Sequence, residues 1–336
     1  MLKIIKFSSL LLLVSLLYVS CSSDNDCGYT PEGSINQVDI KIERLESKVL
    51  NIATPNELSE FMMEEPVIGE FFLRRGEYPN DEIFANEIIA RFSNPYIDSL
   101  EMEIESTYKD LSKLESELED AFSLMKHYYP EFEIPIVKTV ATGFDYDLFV
   151  SDSLIVIGLD FYMGPEAKFR PMGVYNYILK RYDQKYIVPS IMLLYGISTD
   201  INKHDPDDET ILSDMISYGK SYYFAKRMLP CTADSTIIWY SDKEFNGVKA
   251  NKSSVWSHFI DNKLLFERNH LVKRKYLDER PKTFEIGTEC PARIATWVGW
   301  EIVNKYMADR PEITLQELME TKSAMAVFEQ SKYRPQ

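Results

Sequence analysis

The residue types able to do chemistry are sparse in this chain and do not assemble into a known catalytic pattern. Its four histidines are His127, His204, His258 and His270, and no two stand three to five residues apart. Zinc needs imidazoles or thiolates at close spacing, so neither the pattern H-E-x-x-H nor a C-x-x-C pair points to a metal here. No G-x-S-x-G, no phosphate-binding P-loop and no G-x-G-x-x-G occurs, so nucleophilic and nucleotide chemistry lack their usual frames. The acidic run Asp205–Glu209 (DPDDE) holds several oxygens of the kind calcium prefers, without the spacing of an EF-hand. Carboxylates ahead of a helix are expected on dipole grounds alone, and that plainer reading is favoured. No catalytic residue, metal ligand or cofactor is therefore assigned.

The cysteines carry more information. They are Cys21, Cys27, Cys231 and Cys290. Cys21 follows Tyr18-Val19-Ser20, and residues 1–20 combine Lys3 and Lys6 with the apolar stretch Phe7–Val19. A basic start, a short apolar core and a small residue before the break make a secretory signal, too short for a spanning helix. The break resembles the lipobox cut by the lipoprotein signal peptidase, with Tyr18 in place of the usual leucine. Cys21 is then the first mature residue and carries diacylglycerol through a thioether, with fatty-acyl groups such as palmitate. Each buried CH₂ adds about 0.8 kcal/mol of membrane affinity. Residues 21–35, with Ser22-Ser23-Asp24-Asn25-Asp26 at their start, read as an acidic tether. The envelope permits disulfides. A Cys231–Cys290 bridge and two buried thiols remain equal alternatives, and the bridge would leave Cys27 free.

The elements that must position anything downstream follow from periodicity. Leu111, Leu114, Leu118, Phe122 and Met125 mark a long helix over Leu100–Tyr129, ended by Pro130. The β-branched runs Ile134–Thr142 and Ser153–Phe161, separated by Gly143–Asp152, read as an antiparallel hairpin. Further helices are expected over Asp81–Ser93, Tyr186–Ile197, Glu209–Met228, Ser253–Leu265, Ala292–Ala308 and Thr314–Gln330. The last starts with Thr314 and Glu317 at capping-box spacing. No repeat or linker interrupts residues 36–336. The expectation is one globular domain of α+β class, helix-dominated, with a small antiparallel sheet. With 45% hydrophobic and 13% aromatic residues, a packed core is assured. The net charge of −16 makes nucleic acid an improbable partner.

Two segments concentrate unusual residues: Met215–Pro230 (MISYGKSYYFAKRMLP) and Pro291–Met307 (PARIATWVGWEIVNKYM). Gly219, Arg293, Trp297, Gly299 and Trp300 stand out there. A glycine inside a helix costs about 1 kcal/mol and marks close packing, which is favoured over a ligand site.

These segments also carry a resemblance. M-I-x-Y-G-K-x-x-Y-F at Met215–Phe224, P-x-R-I-x-x-W-x-G-W-E-I-V-x-x-Y-M at Pro291–Met307, S-K-Y-R-P at Ser331–Pro335 and IGLDFYMG at Ile157–Gly164 are together similar to the gliding-motility lipoprotein family GldB of Bacteroidetes. Ala292 stands where that family has glycine. The resemblance implies an envelope protein, lipid-anchored at Cys21 on the periplasmic face or at the outer membrane. It further implies a non-catalytic part of the machinery for gliding and type IX secretion, with other envelope proteins of that apparatus as partners. The family is distantly similar to predicted zinc peptidases, which implies a zincin-like scaffold. The corresponding helix here, Ile187–Met192, offers neither histidine nor glutamate, so no metal site carries over. An envelope hydrolase or a ligand-binding protein with an unrecognised site is the alternative.

Overall fold

The computed structural model describes residues 33–335. Residues 1–20, Cys21, Cys27 and most of the 21–35 segment lie outside the described residues. Four strands form one sheet: β1 (Ile42–Arg44), β2 (Ile136–Val140), β3 (Leu148–Val150) and β4 (Leu154–Gly158). Their order is β1-β2-β4-β3. β1 and β2 run parallel, as do β2 and β4, and only β3 is antiparallel to its neighbour. The α+β class is thus as expected, while the antiparallel hairpin between the two β-branched runs is not: the sheet is mixed. Gly143–Asp152 carries a third strand, so the chain reverses twice between β2 and β4 and they end up codirectional. β4 is buried along most of its length, as strands covered on both faces are.

Asp160, just past β4, holds this arrangement. Its Oδ2 accepts the backbone N–H groups of Thr142, Gly143 and Phe144 at 3.0, 2.9 and 2.8 Å. Gly143 and Phe144 both adopt positive φ, which costs little at glycine and more at phenylalanine. Arg91 pairs with Asp145 from the helical layer and anchors the same loop.

The N-terminal helices are α1 (Glu46–Leu50), α2 (Pro55–Glu64), α3 (Asp81–Phe92), α4 (Pro95–Thr107) and α5 (Ser112–Tyr128). The long helix expected over Leu100–Tyr129 is in fact α4 and α5 with a break between them. Tyr108 leaves the helix to bury its ring and to donate from its hydroxyl to Tyr162 O at 2.7 Å. Asp110 then accepts from Ser112 N as the new helix begins.

After the sheet come α6 (Asn176–Leu179), α7 (Ile187–Ile197), α8 (Ile211–Met228), α9 (Asp234–Ile237), α10 (Asp242–Ala250), α11 (Lys252–Asp261) and α12 (His270–Leu277). They are followed by α13 (Ile294–Ala308), α14 (Leu315–Glu320) and α15 (Ala324–Ser331). The expected Thr314–Gln330 helix is divided into α14 and α15. Its capping box at Thr314 and Glu317 is present. The break follows from Lys220, whose buried ammonium takes the carbonyls of Met319 (3.0 Å) and Thr321 (2.9 Å), while Ser323 caps the next helix. Those carbonyls are satisfied by a cation instead of by a further helical turn.

One connected core runs from Ile40 to Tyr333 and includes residues of both the sheet and the helical layers. α8 is its axis, packed against α13 most extensively and against α7 and α15.

Candidate functional site

The two unusual segments prove to be α8 and α13, lying against one another. Gly219 faces Gly299: a Cβ on Gly219 would come within 2.9 Å of Trp300 N and closer still to the Gly299 carbonyl. A Cβ on Gly299 would collide with the Met215 carbonyl. The contact is backbone to backbone, so no rotamer change relieves it. The close crossing brings Trp300 against Tyr222, with ring centroids 5.4 Å apart. Trp297 and Trp300 are 1% and 3% exposed. Both are buried, and the ligand reading that needed them at least partly exposed in a cleft loses its motive.

Arg293 precedes α13 with φ +56° and is buried. Its guanidinium donates to Glu279 Oε1 (2.8 Å), the Tyr222 hydroxyl (3.0 Å) and Ile238 O (2.7 Å). Sequence reasoning missed the other half of this cluster. Arg181, between α6 and α7, also pairs with Glu279. Both guanidinium groups lie over the Trp239 ring, Arg181 at 4.6 Å and Arg293 at 5.3 Å from its centroid. Trp239 itself has φ +59°. Two strained non-glycine residues thus meet in one cluster, a cost that functional sites often carry. Two cations share one carboxylate. Burial, and then repulsion from Arg293, pull the Arg181 pKa down to about 9. Arg181, Trp239 and Glu279 fall in sequence stretches of ordinary composition, and nothing in their spacing signals that they meet.

A cavity of roughly 320 Å³ opens beside Arg181, between the sheet edge and α7. Tyr146 and Asp147 border it from the loop just ahead of β3, Ser190 from α7, and Tyr182 and Trp239 from the connecting loops. Burial raises the Asp147 carboxyl above the usual carboxylate range, opposed by a hydrogen bond from Tyr182. Arg181 stays protonated at neutral pH and cannot exchange protons there, and no histidine borders Ser190. The arrangement suits the holding of a polar or charged group better than nucleophilic attack, which needs a base beside the hydroxyl.

The expected helix at Ile187–Met192 is the first part of α7, and its side chains are mostly core. The acidic run behaves as a capping loop. Asp205 accepts from Asp207 N, and Asp208 accepts from the backbone and hydroxyl of Thr210, which in turn caps α8. Among the described residues no group of three or more histidines, cysteines or acids stands close enough to hold a metal ion. No described helix is long and apolar enough to cross a membrane.

The cysteines match neither of the two alternatives, a Cys231–Cys290 bridge or two buried thiols. Cys290 is a free thiol, half-buried against Thr283, and burial pushes its pKa up to about 12. Cys231 is disulfide-bonded. The Cys231–Cys290 bridge is therefore not made. Cys290 lies in the turn ahead of α13, where Thr283 N donates to its carbonyl at 2.9 Å, and that turn fixes its thiol toward Thr283 instead.

A helix-dominated α+β protein with a small mixed sheet, closely crossed α8 and α13, and a shared-carboxylate arginine pair is the class these features define. The family model described as gliding motility protein GldB matches residues 26–335, and the chain belongs to that family. Membership ties the protein to gliding motility. No curated protein and no solved structure matches it.

Proposed function

We propose that the protein is a lipid-anchored envelope component of the gliding and type IX secretion-associated machinery, which works by binding other envelope proteins and not by catalysis. The family match over nearly the whole mature chain carries this reading. The residues support it in two ways. Cys21 stands where lipidation requires a thiol, and the motif residues Gly219, Trp297, Gly299 and Trp300 are taken up in close helix packing and burial.

Deleting the gene in a gliding host should abolish colony spreading, and an allele with Cys21→Ser should fail to restore it while its product leaves the membrane fraction. Normal spreading in the deletion strain would sink the proposal, and full membrane retention of the Cys21→Ser product would sink its anchor. The alternative, a ligand-binding protein or hydrolase, has one feature in its favour, the cavity beside Arg181. Under that reading Arg181→Ala abolishes spreading although the folded protein remains at normal level in the envelope.

A further inference from the structure

Residues 167–182 (AKFRPMGVYNYILKRY) contain Lys168, Arg170, Lys180 and Arg181 and no acid, in a chain where 53 acids outnumber 37 bases. The same stretch leaves Met172 and Tyr175 96% and 67% exposed. Single apolar residues on a surface are ordinary, whereas two in one acid-free loop flanked by cations mark an interaction site. We infer that this loop is a membrane-contact element: Met172 and Tyr175 enter the headgroup layer of an anionic phospholipid surface, and Lys168, Arg170 and Lys180 meet its phosphates. The inference rests on the reading that the domain is held at an envelope membrane, and it adds which face is turned to that membrane.

The loop is built to present these side chains. Its base is closed: Met163 and Asp183 form an isolated antiparallel bridge, and Gly164 N donates to Tyr182 O at 3.0 Å. The Tyr182 ring packs on Phe161 and Tyr162, with centroids 5.0 and 5.6 Å away. From α4, Glu103 accepts Lys168 N at 2.6 Å and Phe169 N at 3.2 Å, and Pro171 is buried. The chain then turns at Gly173, with φ +76°, where an added Cβ would meet nothing within 4 Å. Tyr175 stacks on Tyr177 as α6 begins, with centroids 5.5 Å apart. The exposed tip thus stands on fixed residues, so little of its backbone remains to be ordered when it meets a surface. Methionine adapts to irregular surroundings, and the tyrosine ring suits the headgroup level with its apolar body and polar tip.

The charges complement an anionic surface. Among the described residues, none of Lys168, Arg170 and Lys180 is in an ion pair, and Glu103 gives both its oxygens to backbone N–H groups. The other basic run, residues 263–275, is partly neutralised: Lys273 pairs with Asp214 and Arg274 with Asp278. The chain as a whole is acidic and is repelled by such a surface. At physiological salt, however, exposed charges more than about 8 Å apart are largely screened, so the loop responds to its own cations. A contact of this size is weak and reversible and does not hold the protein at a membrane by itself. It orients a domain that the lipid holds, with the acidic remainder turned to the aqueous side.

The test is co-sedimentation of the mature chain carrying Cys21→Ser, which has no lipid, with vesicles of phosphatidylglycerol mixed with phosphatidylcholine and with vesicles of phosphatidylcholine alone. Binding should favour the anionic vesicles and fall steeply as salt is raised. Met172→Asp should lower the partition coefficient about tenfold or more. Lys168→Glu, Arg170→Glu and Lys180→Glu combined should do the same. Leu271→Asp, at another exposed apolar position, should leave it unchanged. All of these are surface positions, and an unaltered thermal unfolding curve verifies the fold of each variant. No preference for anionic vesicles, or loop variants that bind like the parent, overturns the inference. The assay does not involve the anchor, so that failure leaves the anchor reading untouched. If the protein ignores vesicles and Met172→Asp still abolishes colony spreading, the loop docks on a protein, and the inference is overturned likewise.

Discussion

Gly219 and Gly299 meet backbone to backbone where α8 crosses α13, with no room for a Cβ on either. Replacing either by alanine forces the two most extensively packed helices apart. Overpacking in cores costs about 1–3 kcal/mol and occasionally more, and the upper end is expected because the opposing atoms are carbonyls and amides that cannot rotate away. Gly247 in α10 is the control, since a Cβ there meets nothing within 4 Å. Gly247→Ala should stabilise by about 0.5–1 kcal/mol through helix propensity alone. Denaturant unfolding of the three variants checks the contrast in sign.

Arg293 supplies three hydrogen bonds in the interior, and Glu279 is the carboxylate it shares with Arg181. Arg293→Met should cost about 3–5 kcal/mol, the range for removing one partner from a buried pair. Glu279→Gln should destabilise too, because two neighbouring guanidinium groups lose their common counter-charge. The double variant should be less unstable than the sum of the singles by about 1 kcal/mol or more, since both changes strike one network. Purely additive losses would show that the cluster does not act as a unit.

Asp160 predicts a pH dependence. Burial raises its pKa from 3.8 to about 6, against the three backbone N–H groups that favour the anion. The folded state therefore holds the proton more tightly than the unfolded chain, and this group's contribution to stability falls as pH rises through the window from 3.8 to about 6 and is flat above it. Asp160→Asn removes the titration while keeping an oxygen for the three amides. The stability of wild type relative to this variant should fall across that window by roughly 2–3 kcal/mol. A difference that stays level from pH 4 to 7 would contradict the assignment.

Lys220 runs in the opposite sense. Its ammonium is buried and donates to the carbonyls of Lys203, Met319 and Thr321. Burial lowers its pKa from 10.5 to about 8, partly opposed by Glu320. Between those values the unfolded chain binds more protons, so this group's contribution rises with pH from about 8 to 10.5. Lys220→Met removes that rise. At neutral pH it should cost about 2 kcal/mol, because carbonyls at the α14–α15 break lose a charged donor. Hydrogen exchange should localise the loosening to α14 and α15.

Much of the secondary structure was legible in the sequence because its causes are local. The capping box at Thr314 and Glu317 and the apolar periodicity of α5, α8 and α13 depend on residues three or four apart. Where helices broke unexpectedly, the cause lay far along the chain: Tyr162 draws Tyr108 out of line, and Lys220 ends α14 from about a hundred residues away. Strand direction failed for the same reason. β-branched composition marks β2 and β4, but their parallel pairing depends on the number of reversals between them, which Asp160 stabilises from outside the loop.

The chemistry divides along that line too. The sequence by itself marked Cys21 as an expected processing position and determined the acidic character of the chain and the prominence of Gly219, Arg293, Trp297, Gly299 and Trp300, because composition and short spacing are one-dimensional properties. Only the tertiary structure decided that the glycines are a helix crossing and that the tryptophans are core. It also decided that Arg293 shares Glu279 with Arg181, and that Cys290 is not the partner of Cys231. Those are statements about which distant residues meet, and packing and burial settle them where residue spacing is silent.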